Sequence, residues 1–183
     1  KDVAVSSGRV YQSGLSLSVS KNALRTDIDG DTATVTARMV DRNGNPVPKG
    51  TVISFVAEGG SITPNCASDD NGVCTVTLTT QNPRPANNRV SVLAYVEGDK
   101  AYTDLDGDNL YTEGVDTLLS NIGDFFRDDD ENLAYNADNN EYLYKRSDAG
   151  TAACAASTIT QPNLANTCHN RLSATLRDQM LFA

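Results

Sequence analysis

Along the first hundred residues apolar and polar positions alternate with a period of two, in short runs separated by turn residues. Leu15, Leu17 and Val19 alternate with serines, and Ala33, Val35, Ala37 and Met39 alternate with Thr and Arg. A two-residue period places every second side chain on one face, which predicts half-buried strands. Runs rich in β-branched residues follow at 51–57 (TVISFVA), 73–79 (VCTVTLT) and 89–96 (RVSVLAYV). Between them lie Asp41-Arg-Asn-Gly-Asn-Pro46, Gly59-Gly60 and Asp69-Asp-Asn-Gly72, all turn chemistry. Strands at this spacing with almost no helical period predict an all-β fold, a β-sandwich.

The residues of this stretch carry a resemblance. Asp29-Gly-Asp-Thr-Ala-Thr-Val-Thr-Ala37, the Asp41 to Val47 turn with Val52, Phe55 and Gly59-Gly60, and Asp70-Asn-Gly-Val-Cys-Thr-Val-Thr-Leu78 occur in that order. Over about residues 15–97 the chain resembles the group 1 bacterial immunoglobulin-like (Big-1) domain, strung in tandem in invasin- and intimin-type adhesins. The resemblance implies an immunoglobulin-like sandwich in a bacterial cell-surface protein, with neighbouring repeats of the same kind as partners. Gly44 and Gly72 relieve tight turns, and Pro46 begins a strand without needing an N–H. Cys66 and Cys74 depart from the family pattern.

A sandwich of this type should close with one more strand soon after Val96, and none follows. Alternation returns only at Leu172, Ala174 and Leu176, leading to Met180, Leu181 and Phe182. The organisation expected is a sandwich over 1–98, an insertion over 99–169, and a final strand within 170–183, Arg171 to Phe182. Seventy residues without order would be anomalous inside a compact domain, so the insertion needs order of its own.

Charge locates the source of that order. The 183-residue chain carries -9, yet the segment 99–148 alone holds fourteen acids against four bases, and the remainder is nearly neutral. With no basic excess anywhere, nucleic acid and anionic membrane are poor partners. No apolar run is long enough to span a bilayer, so no membrane insertion is expected. Concentrated carboxylates call for cations.

The acids are also spaced. Asp104, Asp106 and Asp108 lie at i, i+2, i+4; Asp128, Asp130 and Asn132 repeat the spacing, and Asn136, Asp138 and Asn140 repeat it again. Oxygen ligands at positions 1, 3 and 5, with a backbone carbonyl near 7, wrap one hard cation. Leu110 and Ala134 hold position 7 of the first two loops, and Tyr111 and Tyr135 hold position 8, where an aromatic anchors a loop on a core. The loops are similar to calcium repeats of bacterial immunoglobulin-like surface proteins and, more distantly, to dockerin and EF-hand loops. Position 12 is Val115 and Asn139, so the bidentate Glu expected there is absent, and Glu113, Asp116, Asp124 and Glu141 are the candidates to replace it. Position 6, glycine in an EF-hand, is Asn109 and Leu133. Neither an EF-hand nor a dockerin is expected. The reading is an insertion ordered by one to three Ca²⁺ ions, set against a solvated or disordered acidic run. A short helix is expected between the first two loops, from Asp116 to Phe126.

Cys66, Cys74, Cys154 and Cys168 form two close pairs without the CxxC spacing of zinc or redox motifs. Local disulfides, Cys66 to Cys74 and Cys154 to Cys168, are expected, with four buried thiols as the alternative. Bridges imply an oxidising compartment, so the protein is expected outside the cell or on the bacterial surface. The Lys1 start carries no signal peptide, which reads as a piece of a longer secreted chain.

Catalysis finds little support. The lone histidine, His169, reads as a packing or solvent-facing residue, and no nucleophile-elbow, zinc-protease or phosphate-loop motif occurs. Carboxylate pairs run glycoside hydrolysis, but acids committed to a cation are not free for proton transfer, and Trp is absent. The expected function is a non-catalytic, calcium-stabilised structural or adhesive module. The alternative is a recognition module binding a cell-surface protein or glycan, favoured by exposure of Phe125, Tyr142 and Tyr144. A glycoside hydrolase is the third reading.

Overall fold

Alternation in the sequence becomes pleat in the structure, a computed structural model that describes residues 8–183. Residues 1–7, where the sandwich is expected to begin, lie outside the described residues. The strands are β1 (Val10–Tyr11), β2 (Leu15–Val19), β3 (Thr32–Met39), β4 (Val52–Ala57), β5 (Ser61–Ile62), β6 (Asn65–Ala67), β7 (Val73–Thr79), β8 (Val90–Asp99), β9 (Tyr102–Thr103), β10 (Thr117–Leu118), β11 (Phe125–Phe126), β12 (Leu143–Tyr144) and β13 (Ser173–Phe182). No α-helix occurs among the described residues.

Two sheets form the sandwich. One runs β2-β3-β7-β5. In the other, β13 pairs with β8 along its whole length, from Ser173 with Asp99 to Phe182 with Val90. Because β13 fills one edge of β8, β4 and β1 share the opposite edge, and β6 follows β4. The core lies between the sheets: Ala33, Val35, Ala37 and Met39 of β3 and Val76 and Leu78 of β7 face Ile53, Phe55, Val92, Ala94, Val96 and Leu176. Cys66 on β6 and Cys74 on β7 are disulfide-bonded, Cα atoms 5.9 Å apart, so this bridge ties one sheet to the other.

Local chemistry sets the turns. The buried Asp41 carboxylate accepts the N–H groups of Asn43 and Asn45, each at 2.9 Å, and Asp69 does the same for Asn71 and Val73. Gly72 takes φ +72°, where a Cβ would collide with the Met39 carbonyl. A side chain there would break the β3–β7 corner.

β8 and β13 are buried on both faces. Inward, Val92, Ala94 and Leu176 join the core; outward, Ser91, Leu93, Thr175, Arg177 and Gln179 are each at most 3% exposed. The insertion covers that outward face, giving a third layer. It buries Ile122, Phe125 and Phe126 and covers Leu93 of β8, and burying each phenylalanine contributes on the order of 2–3 kcal/mol. The helix expected from Asp116 to Phe126 does not form. Thr117–Leu118 instead pairs with Tyr102–Thr103, and Phe125–Phe126 with Leu143–Tyr144. Gly123 lies against Thr167 with no room for a Cβ, a close approach that the absence of a side chain permits.

Buried polar groups hold the layer down. Arg177 donates to the carbonyls of Pro162 (3.2 Å), Gly123 (3.3 Å) and Thr175 (3.0 Å) and to Asn163 Oδ1 (2.6 Å), with its guanidinium 5.0 Å from the Phe125 ring centroid. Five donors in a rigid fork can satisfy several backbone carbonyls at once. Cys154 and Cys168 are bridged, Cα atoms 5.4 Å apart, and clip the last irregular stretch before β13.

Candidate metal centre

The two acidic loops repeat one hydrogen-bond pattern. With Asp104 and Asp128 each counted as position 1, Oδ2 accepts the N–H of position 6: Asn109 at 2.8 Å in the first loop and Leu133 at 2.9 Å in the second. The position 3 carboxylate accepts from position 5, Asp106 from Asp108 at 3.4 Å and Asp130 from Asn132 at 3.3 Å. Position 5 accepts from position 7, Asp108 from Leu110 at 2.7 Å and Asn132 from Ala134 at 2.8 Å. Each bond closes the backbone onto a side-chain oxygen and turns the loop around its acids.

Position 6 is left-handed in both loops, with φ +62° at Asn109 and +65° at Leu133. This is where an EF-hand loop places glycine for its sharp turn. Asn tolerates the conformation; Leu does not, at a cost of roughly 1–2 kcal/mol.

Asp116 and Glu141 each join the two ends of a loop, accepting backbone N–H groups at equivalent positions. Asp116 accepts the N–H of position 2, Leu105, at 2.8 Å and of position 9, Thr112, at 2.7 Å. Glu141 accepts from Asp129, also position 2, at 3.2 Å and from Asn136, also position 9, at 2.7 Å. Each carboxylate closes its loop by joining the beginning to the end.

The oxygens of Asp104, Asp106 and Asp108 lie within 4.8 Å of one another, as do those of Asp128, Asp130 and Glu141. The environments differ. The first cluster is largely exposed, whereas Asp128 is fully buried and Glu141 is 5% exposed. Burial, together with neighbouring carboxylates, raises Asp128 and Glu141 above the usual carboxylate range. Burial also raises Glu58, assisted by the charges of Asp129 and Glu141. In the first loop burial opposes ionisation of Asp104, but the N–H groups of Asn109 and Gly107 outweigh it and hold the carboxyl low.

Gln179 and Arg127 anchor the second loop. Gln179 bonds both backbone groups of Asp128, and Ser91 Oγ donates to the same carbonyl at 3.3 Å. Arg127 forks onto Asp129 at 2.6 and 2.8 Å and donates to the Ala57 carbonyl on β4. The position 8 tyrosines dock on rings beneath, Tyr111 with its centroid 5.3 Å from that of Tyr102 and Tyr135 at 5.9 Å from Phe126.

Other expected ligands are placed elsewhere. Asp124 accepts the Arg146 N–H at 2.9 Å and belongs to neither cluster. Glu113 is exposed and meets Asp116 only through a backbone bridge. Asn136, Asp138 and Asn140 do not repeat the pattern of the first two loops. Residues 137–139 form a 3-10 turn, and the amides of Asn136 and Asn139 donate to Asp130 Oδ2 at 3.3 and 2.9 Å. Gln179, Arg127 and Ser91 carried no sequence signal, since alternation marks them only as polar positions.

No helix among the described residues is long and apolar enough to cross a membrane. No curated protein and no solved structure matched the chain. Residues 14–105 match the family described as bacterial Ig-like domain (group 1), which occurs in bacterial surface proteins and is typically non-catalytic. The match takes in β2 through β9, while the second acidic loop and β13 lie beyond it. With just over half of its 183 residues matched and a β-sandwich built from them, the protein belongs to the group 1 bacterial immunoglobulin-like domain family.

Proposed function

We propose that this protein is a non-catalytic, calcium-stabilised immunoglobulin-like module of a large bacterial secreted or cell-surface protein, working as a structural and adhesive element beside further repeats. The observation that carries the reading is the shared hydrogen-bond pattern of the two acidic loops, each closed by a carboxylate, Asp116 or Glu141, on equivalent backbone groups. Asp104, Asp106, Asp108 and Asp116 would hold one Ca²⁺, and Asp128, Asp130, Asn132 and Glu141 a second. A bound dication would neutralise buried carboxylates that otherwise repel. Calcium is favoured over magnesium because irregular loops supply many oxygens more readily than a strict octahedron. Phe125 is buried, and Tyr142 and Tyr144 are half-buried around Tyr95, which supports a structural role for these rings.

One observation favours the recognition reading. Leu105, Leu110, Val115 and Leu119, all in or beside the first loop, are 45–66% exposed and would give a calcium-ordered loop an apolar contact surface.

A thermal melt with limited proteolysis, in EGTA, CaCl₂ and MgCl₂, tests the proposal. Binding to the folded state alone raises stability by mass action. Calcium should raise the melting temperature and protect residues 99–169, with magnesium much weaker. Asp106→Asn with Asp130→Asn should leave the EGTA melt within about 2 °C and abolish the calcium shift. A wild-type protein indifferent to calcium would end the metal reading.

A further inference from the structure

Lys100 is the first residue after β8 and is fully buried. Its ammonium nitrogen donates to Asn121 Oδ1 at 2.7 Å and to the His169 carbonyl at 2.6 Å, and lies 3.4 Å from His169 Nδ1. The acid of this pocket, Asp148, is already engaged by Arg146 at 2.8 Å, Arg171 at 3.2 Å and His169 Nε2 at 3.4 Å. A buried ammonium facing three arginines, Arg146, Arg171 and Arg177, gives up its proton more readily than an exposed lysine. Burial first, and then those charges, lower Lys100 to about 8, against the opposing effect of Asp148.

The minor fraction of Lys100 that is a neutral amine at neutral pH is a nucleophile held against a carboxamide, beside an electrophilic carbon. In water the pair would be inert; fixed contact removes the entropic part of the barrier. The proton carrier is also in place. With Asp148 at Nε2, His169 presents Nδ1 to the lysine, and burial followed by the Lys100 and Arg171 charges keeps the imidazole in its neutral, proton-accepting form. Nucleophile, base and orienting acid stand in the order that activates side-chain nucleophiles elsewhere.

We propose that Lys100 and Asn121 condense to an intramolecular amide cross-link, with His169 carrying the proton and Asp148 positioning His169. Lys100 Nζ attacks Asn121 Cγ, and its surplus proton passes to His169 Nδ1. The tetrahedral intermediate then collapses by breaking Cγ–Nδ2, and His169 returns the proton to the departing nitrogen. One C–N bond forms, one breaks, and ammonia leaves, with no change of oxidation state and no co-reactant. The link closes a 21-residue separation that contains the whole first acidic loop, from Asp104 to Asp116. It would clamp that loop to the end of β8 whether or not a cation is bound, so it does not rest on the calcium reading.

Intact-mass spectrometry of the purified chain tests this. The expected mass is about 17 Da, one ammonia, below that of the disulfide-bonded sequence. Trypsin should yield residues 90–127 as one internally linked peptide, uncut after Lys100. Lys100→Arg and Asn121→Ala should each abolish the loss. His169→Gln should slow closure after refolding by about a hundredfold, the scale of a general base. A wild-type chain of unreduced mass, cleaved normally after Lys100, would overturn the proposal even if every variant failed to fold. Closure at the wild-type rate in His169→Gln would remove His169 from the mechanism.

Discussion

Gln179 holds both backbone groups of Asp128: its Oε1 accepts the Asp128 N–H at 3.0 Å, and its Nε2 donates to the Asp128 carbonyl at 2.8 Å. One side chain of the last strand therefore fixes the first residue of the second acidic loop. Gln179→Leu would keep the volume and leave the buried Asp128 N–H without a partner. The expected cost is about 2–4 kcal/mol in urea unfolding. Amide exchange over 128–133 should accelerate more than exchange in β3. A loss well under 1 kcal/mol would mean that the loop is held by other contacts.

Leu133 occupies φ +65° with its side chain 44% exposed, so it bears the strain of a left-handed position and gains little from packing. Leu133→Gly should stabilise the protein by about 1 kcal/mol, since relief of strain exceeds the lost contact and the added unfolded-state freedom. A raised denaturation midpoint checks this, and a lowered one would show that Leu133 packs on something the loop needs.

Asp178 faces inward on β13, opposite Ala94, and takes the N–H of Leu17 from the edge strand of the facing sheet. Burial raises it to about 6 from an ordinary 3.8. Between those values the folded chain holds a proton that the unfolded chain has released, so stability falls as pH rises from about 4 to about 6. Asp178→Asn should remove that cost. After allowance for partial exposure, the gain expected at pH 7.5 is about 1–2 kcal/mol, vanishing at pH 3.5. Melts of the two proteins that run parallel across this range would refute the assignment.

The two disulfides should act on different layers. Cys66→Ala with Cys74→Ala unties one sheet from the other and should lower global stability by on the order of 2–3 kcal/mol. Cys154→Ala with Cys168→Ala releases a stretch of the insertion layer. Proteolysis within 146–170 should then appear before the sandwich core loosens. Identical cleavage patterns in the two double variants would contradict this division.

Local alternation and turn chemistry were enough to place β2, β3, β4, β7 and β8 within a few residues, because a two-residue period with Asn, Asp and Gly between runs has few other solutions. The final strand starts at Ser173, two residues inside the expected Arg171, as boundaries usually do. The local disulfide pairs followed from spacing for the same reason: short loops close easily. The acid triplets were visible as well. Which carboxylate closes each loop was not, since Asp116 and Glu141 sit at different offsets, positions 13 and 14, and only the path of the backbone brings each onto positions 2 and 9.

By itself the sequence determined the sandwich, its turns and the location of its acids, all set by interactions among near neighbours in the chain. The tertiary structure alone decided that the polar face of β8 and β13 meets protein rather than water. A pattern of period two records that Thr175, Arg177 and Gln179 differ from Ala174 and Leu176, not what lies against them. The same limit hid Lys100, whose burial depends on Asn121 and His169 arriving from distant segments. Burial of a polar residue is a property of what packs over it, and the chain supplies that cover from residues tens of positions away.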